Sequence, residues 1–310
     1  MKHHLKSFLL AALALTSLGL FVLPTHSQHA ATYAQEVQEW RSKADASLRR
    51  DNGWLTLAGR WVMKEGSNTL GTAASNDMVL PKGSAPAQVG SITVKDGVVS
   101  FKAAAGVSLL KDGVAFTERT MGTDLDKRDW VQLGRLQMHV IKRSNEGKDA
   151  YVLRLADNEN EVRKAFKGRV WFDVAEAYKV QATYTPHKAG NTITITNVLG
   201  EVSDENSPGK VSFILNGKAY SLDAVADAGD KELFFILKDQ TAGKETYGPA
   251  RFMTAAAPAD LSKPAKLTLD FNKAYNPPCA FSAYTTCPLP PEQNKLAVRV
   301  EAGERYLKAE

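Results

Sequence analysis

The chain has 310 residues, of which 44% are hydrophobic and 24% charged, and its formal net charge is +5 at neutral pH. Because acidic and basic residues are mixed along the chain without long blocks of one sign, nucleic-acid binding is not expected. The chain has six histidines and two cysteines, and only His29, His139 and His187 lie beyond residue 28. So few histidines exclude a multi-histidine metal centre. We expect neither a metal nor a cofactor.

Residues 1–28 have the pattern of a secretory signal peptide. A short basic head precedes an apolar run from Phe8 to Leu23, and small and polar residues follow. Cleavage would remove Lys2 and Lys6 and lower the net charge from +5 to +3. We therefore expect a periplasmic or secreted protein without stable membrane insertion after cleavage. An uncleaved helical anchor is the alternative, although the apolar run is short for a bilayer.

Residues 31–50 are predicted to form an amphipathic helix. One helical face carries Tyr33, Val37, Trp40, Ala44 and Leu48, and the remaining positions carry Glu36, Glu39, Arg41, Lys43 and Asp45. The turn signal Asp51-Asn52-Gly53 ends the helix. We expect the apolar face to dock on the body of the protein.

Residues 52–148 have the pattern of an N-terminal β-sandwich. Short alternating runs are separated by Asp96-Gly97 and Asp112-Gly113, the strongest two-residue hairpin signals. The succession of Leu55–Leu57, Lys64–Gly71, Asn76–Pro81 and Trp130–Gly134 resembles the strand order of a forkhead-associated domain. Thr72 stands where those domains have a phosphate-binding arginine, so the resemblance implies the architecture without phosphopeptide binding.

Residues 150–310 are predicted to form a second antiparallel β-rich domain. Alternating runs flank Asn216-Gly217, and Leu233–Leu237 is an apolar run typical of a buried strand. The pattern fits a sandwich or a partly closed barrel. The fold class expected for the whole chain is therefore mainly β, with two antiparallel domains and one N-terminal helix.

The stretch from Asp270 to Pro291 is expected to be a rigid loop, because it holds five of the 13 prolines and both cysteines. Each proline fixes φ and keeps its predecessor extended, which excludes a helix. In an oxidising compartment we expect Cys279 and Cys287 to form a disulfide. An activated Cys279 nucleophile is the disfavoured alternative.

Several motifs in this half resemble the bacterial family known as domain of unknown function 1684. They are Asp239-Gln240-Thr241, Glu245-Thr246-Tyr247-Gly248, Ala250-Arg251-Phe252, the run DFNKAYNPPCAF from Asp270, TCPLPP from Thr286, Asn294-Lys295-Leu296 and Ala302-Gly303-Glu304. Gly53–Leu57, Phe166-Lys167-Gly168 and Trp171-Phe172 extend the likeness over most of the chain. The resemblance implies no activity, ligand or catalytic residue.

Polar residues near this loop are the candidate ligand site. Arg251 would bind an anion through its fork of donors, and the other candidates are Tyr247, Asp270, Asn272, Tyr275 and Asn276. If neighbouring strands pair as a meander, Arg251 could approach Asp270 or Glu245. The alternative is structural, with Arg251 bonded to a carboxylate or to main-chain carbonyls that rigidify the corner.

Two functions remain open from the sequence, which does not decide whether the protein is an enzyme. The first is binding of a small anionic or sugar-like molecule at the C-terminal loop. The second is hydrolysis of envelope or extracellular material by Asp270 with Asp239 or Glu245. His139 and His187 are expected to be structural. The tryptophans, Trp54, Trp61, Trp130 and Trp171, are better explained by packing than as a sugar platform.

Overall fold

The computed structural model describes residues 31–125, 127–145 and 148–307. The predicted signal peptide, residues 1–28, lies outside these ranges. No helix within them combines the length and apolar character needed to cross a membrane.

The predicted N-terminal helix is confirmed as α1, Tyr33–Arg49. Thr32 caps it and forms a reciprocal capping box with Gln35, which satisfies two of the free backbone N–H groups of the first turn. The prediction that Arg41 lies outside the buried face of the helix is wrong, since Arg41 is buried with Val37 and Leu48. Its long side chain can bury its stem while its Nη2 reaches the Asn272 carbonyl oxygen at 3.2 Å.

The first half of the chain is a sandwich of two sheets. Its strands are β1 (Leu57–Met63), β2 (Gly66–Gly71), β3 (Met78–Val79), β4 (Gly90–Lys95), β5 (Val98–Ala103), β6 (Leu109–Lys111), β7 (Val114–Phe116), β8 (Glu118–Met121), β9 (Val131–Leu133), β10 (Leu136–Asn145) and β11 (Lys148–Asp157). One sheet has the order β1-β11-β10-β9-β6-β7 and the other β3-β2-β4-β5-β8. All pairs are antiparallel except β2 with β3.

The first core lies between these two sheets. Leu70, Ile92, Phe101, Met138 and Leu153 are fully buried in it. The turn residues Asp96-Gly97 and Asp112-Gly113 all have positive φ, as the predicted two-residue hairpins require. Alternation of buried and exposed residues along β4 and β5 fixes which face of each strand enters this core.

The second half begins with the short helix α2 and continues with eight strands in the described residues. These are α2 (Glu161–Ala165), β12 (Lys179–Pro186), β13 (Thr192–Thr196), β14 (Val202–Asn206), β15 (Gly209–Leu215), β16 (Lys218–Asp223), β17 (Glu232–Leu237), β18 (Arg251–Ala256) and β19 (Ala265–Asp270). They form a sheet of order β16-β15-β12-β19 and two hairpins, β13-β14 and β17-β18.

The hairpin β17-β18 is the middle layer of this half. Leu233, Phe235 and Leu237 enter the second core, which they share with the four-stranded sheet. Ile236 and Phe252 enter a smaller cluster with β13 and Cys287. Because β17 is covered on both faces, its sequence is a continuous apolar run instead of an alternating one.

The predicted fold class is confirmed: the protein is mainly β, its sheets are almost wholly antiparallel, and one longer helix precedes them. In the described residues the sheets do not close into a barrel. The first core draws on residues between 58 and 155, and the second on residues between 178 and 302.

Candidate functional site

The proline-rich loop after β19 is closed by a crosslink and fastened by main-chain hydrogen bonds. Cys279 and Cys287 form the expected disulfide, with Cα atoms 6.1 Å apart. The returning chain is pinned to β13, because Val198 N donates to the Cys287 carbonyl at 3.0 Å and Leu289 N to the Thr196 carbonyl at 2.8 Å. Single 3₁₀ turns at Phe271–Lys273 and Pro278–Ala280 complete the loop. The tip between the cysteines is therefore held at both ends.

Removing the disulfide by Cys279→Ser with Cys287→Ser is expected to lower the free energy of unfolding by about 2–3 kcal/mol. The bridge spans eight positions, and closing a loop of that length removes entropy mainly from the unfolded chain. Urea unfolding of the oxidised protein, the reduced protein and the double variant measures it. Equal stability of all three would contradict the prediction.

Arg251 is not available to a ligand. Its side chain is only 1% exposed, and Nη2 lies 2.5 Å from Asp239 Oδ2. The guanidinium also donates to the carbonyl oxygens of Val300, at 3.1 Å, and Ala302. The predicted approach to Asp270 or Glu245 is wrong. Asp239 follows β17, whose last residue pairs in register with Arg251, so the hairpin itself delivers Asp239 as the partner.

Asp239 is held as firmly as Arg251. Its Oδ1 accepts hydrogen bonds from Thr241 N at 2.9 Å, Thr241 Oγ1 at 2.7 Å and Val300 N at 3.2 Å. Glu245 instead pairs with Arg299, at 2.5 Å. The contacts of Arg251 thus agree with the structural alternative. Arg251 and Asp239 form a buried ion pair that ties β17-β18 to the segment around residue 300.

Asp270 and Asn272 anchor helix α1. Asp270 Oδ1 accepts from the Tyr33 hydroxyl at 2.7 Å, and Asn272 Nδ2 donates to the same hydroxyl oxygen at 2.8 Å. Asn272, fully buried, also exchanges two hydrogen bonds with the Ala175 main chain. Burial and the neighbouring Asp270 carboxylate raise the pKa of the Tyr33 hydroxyl. Asp270 and Asn272, both predicted as ligand residues, therefore fasten helix α1 to the loop.

Tyr275 and Asn276 border a buried ion pair between Arg169 and Glu304. Asn276 N donates to Glu304 Oε2 at 2.7 Å, and Asn276 Nδ2 donates to the Arg305 carbonyl at 2.9 Å. Burial raises the pKa of Glu304 to about 7, while the Arg169 charge and the Asn276 N–H act in the opposite direction. We call Arg169, Glu304 and Asn276 the buried centre.

Aromatic rings seal the buried centre. The Arg169 guanidinium lies 5.0 Å from the Phe281 ring and 5.9 Å from both the Trp171 and Tyr275 rings. Trp40 of α1 packs against two of these rings, 5.8 Å from Trp171 and 6.2 Å from Tyr275. Such contacts between a cation and an aromatic face stabilise a charge that water cannot reach. Tyr247 lies apart and packs against Tyr306, at 4.9 Å.

Arg169 and Glu304 were not among the predicted site residues, although one adjoins and the other belongs to a motif that carries the family resemblance. Arg169 follows Phe166-Lys167-Gly168, and Glu304 ends Ala302-Gly303-Glu304. A Cβ at Gly303 would lie 2.5 Å from the Ala274 carbonyl oxygen, so only glycine allows this close approach. The folded chain therefore brings these two motifs together at the buried centre.

Open space lies on the far side of Phe281, in a cleft of about 420 Å³ between the loop tip and the first half of the chain. The loop contributes Phe281, Ser282, Ala283 and Tyr284, and the opposite side contributes Leu55, Leu57, Ala58, Pro81, Arg135, Asp157, Glu159, Asn160, Glu161 and Val162. None of the six predicted ligand residues lines this cleft.

The cleft carries more acidic than basic side chains. Arg135 bridges Asp157, at 3.1 Å, and Glu159, at 3.2 Å. Tyr284, opposite them in the disulfide-closed tip, is 40% exposed. Among the described residues no three His, Cys, Asp or Glu side chains are grouped so that they could hold a metal ion. The cleft therefore offers hydrogen-bond acceptors, one cation and an aromatic ring.

The fold and this loop define a class of protein: two β cores joined by a helix and a disulfide-closed, proline-rich corner. Residues 164–305 match the family described as Protein of unknown function (DUF1684), and the chain belongs to that family. The chain is 37% identical to an uncharacterized protein of Haloarcula marismortui whose structure was solved in solution by NMR. That match covers 46% of this chain and 78% of the other, with a TM-score of 0.40.

No curated protein matches the chain. The resemblance of the N-terminal half to a forkhead-associated domain is not confirmed, because the family match begins only at residue 164.

Proposed function

We propose that the protein is an exported, non-catalytic binding protein whose cleft beside Tyr284 takes a small, neutral, sugar-like ligand. The observation that supports the proposal is the placement of an exposed tyrosine, on a disulfide-closed loop tip, across the cleft from the Arg135, Asp157 and Glu159 group. A flat ring and convergent polar groups on rigid elements are the usual components of a small-molecule site.

The charge of the cleft favours a neutral ligand over an anionic one. Three carboxylates, on Asp157, Glu159 and Glu161, face one guanidinium, on Arg135, which two of them already engage. The predicted binding of an anionic ligand depended on Arg251, and this residue is buried and bonded to Asp239. Carboxylate oxygens accept hydrogen bonds from sugar hydroxyls without an opposing charge.

Export is part of the proposal. It is supported by the signal pattern of residues 1–28 and by the disulfide, since disulfides persist in oxidising compartments and are rare in the cytosol.

The three carboxylates first considered for hydrolysis, the second candidate function, are all engaged in other contacts. Asp239 is committed to Arg251, Asp270 to Tyr33, and Glu245 to Arg299. A hydrolase would have to use the carboxylates of the cleft, of which Asp157 and Glu159 are both bonded to Arg135.

Saturation-transfer NMR with glucose, N-acetylglucosamine and cellobiose, and with glucuronate as the charged counterpart, tests the proposal. We expect a signal from at least one neutral sugar and none from glucuronate. Tyr284→Ala should weaken binding about tenfold, the upper range for loss of one aromatic contact. Tyr284→Phe, which keeps the ring, is the matched control and should bind within about threefold of the original.

Two outcomes would reject binding at this cleft: no neutral sugar gives a signal, or Tyr284→Ala binds as well as Tyr284→Phe. The same samples, followed by NMR for new anomeric signals, report turnover. Product from cellobiose that disappears in Glu159→Gln would replace the binding proposal with the hydrolase.

A further inference from the structure

Strand β13 is only partly paired along one of its two edges. Successive residues of an antiparallel strand direct their N–H and C=O groups to alternate edges. Asn197, which follows β13, donates its N–H to the Glu201 carbonyl across the hairpin at 2.9 Å, so the odd-numbered residues of the strand face β14. The even-numbered residues, Thr192, Thr194 and Thr196, therefore direct their main-chain groups to the opposite edge.

A proline ends the pairing of this opposite edge. The returning loop bonds to it at Thr196, whose carbonyl accepts from Leu289 N at 2.8 Å. Two residues further along an antiparallel ladder, the loop residue that would bond to Thr194 is Pro291, which has no N–H to donate. Among the described residues, the main-chain groups that Thr192 and Thr194 direct to this edge have no main-chain partner.

A groove of about 680 Å³ follows the unpaired part of the edge. Its lining includes Thr192 and Thr194 from the strand and Leu289 and Pro290 from the loop, but no residue of β14. The groove therefore lies on the edge of β13 that the loop leaves open. Every lining residue belongs to the continuously described range 148–307. We call this space the edge groove.

The open edge is held in an extended conformation before anything binds to it. Ile193 and Ile195 are 7% and 3% exposed, and both pack in the cluster that contains Cys287 of the disulfide. The threonines between them point outward and are exposed. A partner strand that pairs with a preformed edge pays only for its own ordering, which favours binding.

Lysine side chains make the edge groove positive. Lys238 is half-buried, and its ammonium forms no ion pair or hydrogen bond with a described residue. The second lysine, Lys295, bonds to Glu292, which is the one carboxylate of the lining and is itself largely exposed. One positive charge therefore remains uncompensated among the lining residues. An acidic side chain is the complement of this charge.

We propose that the edge groove binds an extended acidic segment of another polypeptide, which pairs with residues 192–194 as an added strand and places a carboxylate near Lys238. In this mode of recognition, main-chain hydrogen bonds provide affinity and alternate side chains provide specificity. The edge groove shares no lining residue with the cleft beside Tyr284, and the proposal does not depend on the function proposed for that cleft.

Selection from a phage library of random linear dodecapeptides, followed by calorimetric titration of the selected sequences as synthetic peptides, tests the proposal. We expect peptides that carry more Asp and Glu than Lys and Arg. Thr194→Pro should weaken their binding about tenfold, because it removes the N–H of the open edge. Pairing with β14 should persist, since that N–H points away from β14.

Two variants are matched controls for Thr194→Pro. Thr194→Val loses the hydroxyl but keeps the N–H, and it should bind within about twofold of the original. Val202→Pro places the same ring at an outward-facing position of β14, on the far edge of the hairpin, and should also keep binding. Lys238→Met should weaken binding of an acidic peptide about threefold and leave that of its Glu→Gln counterpart unchanged.

Peptides N-methylated at alternate positions test the pairing on the original protein, so the result stands even if Thr194→Pro does not fold. Methylation of the set of amides that faces β13 should abolish binding, and methylation of the other set should preserve it. The proposal is overturned if the library yields no binding peptide, if both methylated sets behave alike, or if Thr194→Pro binds as Thr194→Val does. A dimer in sedimentation that Thr194→Pro dissociates would also overturn it, since a second copy of the chain would then occupy the edge.

Discussion

Arg251→Met is expected to lower the free energy of unfolding by about 3–5 kcal/mol. The change keeps most of the apolar stem but leaves the Asp239 carboxylate buried without its counter-charge. It also removes the donors that satisfy the Val300 and Ala302 carbonyls. Urea unfolding followed by circular dichroism measures the loss, with linear extrapolation to water.

Arg299→Met is the matched control, because Arg299 also bonds two carboxylates but does so at the surface. Exposed ion pairs contribute little, so this variant should lose less than about 1 kcal/mol. Combining Arg251→Met with Asp239→Asn should cost less than the sum of the single changes, since no buried charge is then left unpaired. If Arg251→Met were as stable as Arg299→Met, Arg251 would not be the structural anchor that its contacts indicate.

Arg169→Met is expected to destabilise the protein by about 3–5 kcal/mol at pH 8 and by clearly less at pH 5. A carboxyl group whose pKa is raised on folding stabilises the folded state below its ordinary pKa of 4.5, and this contribution is lost as the pH rises through the folded value, about 7 for Glu304. Without Arg169 that folded pKa rises further. The carboxyl is then protonated at pH 5 in the folded state at little cost, whereas at pH 8 the folded state must either bury its charge or bind a proton, and both are unfavourable.

Unfolding of Arg169→Met and the original protein in urea at pH 5 and pH 8 gives this difference directly. The same Arg299→Met control should show a small loss at both pH values, since Arg299 is exposed and neither of its partners is buried. A loss for Arg169→Met that is equal at the two pH values would mean that Glu304 does not change its protonation between them.

Local patterns were sufficient to predict most of the fold. The helix followed from apolar spacing, the hairpins at residues 96 and 112 from their Asp-Gly pairs, and the disulfide from compartment and loop length. Arg41 was misplaced because helical periodicity treats a long basic side chain as exposed, whereas its guanidinium reaches a carbonyl 231 residues later. Contacts of that range leave no periodic signal in the sequence.

The candidate site was predicted only in part. Motif density directed the prediction to the loop around Cys279, but it did not indicate which contacts the polar residues of that loop make. Whether Arg251 meets Asp270 or Asp239 depends on the β17-β18 register, which hydrophobic alternation does not specify for a strand buried on both faces. Arg169 and Glu304 are isolated charges in the sequence, and only the folded chain pairs them.

Helix α1 depends on residues that are made much later. Tyr33 bonds to Asp270 and Asn272, which lie 237 and 239 positions further along the chain. The contacts of Tyr33 and Arg41 therefore cannot form until residues 270–272 have been made. Contacts of such long range are slow to form, so we expect the helix to complete its docking only after the strand that ends at Asp270 is in place.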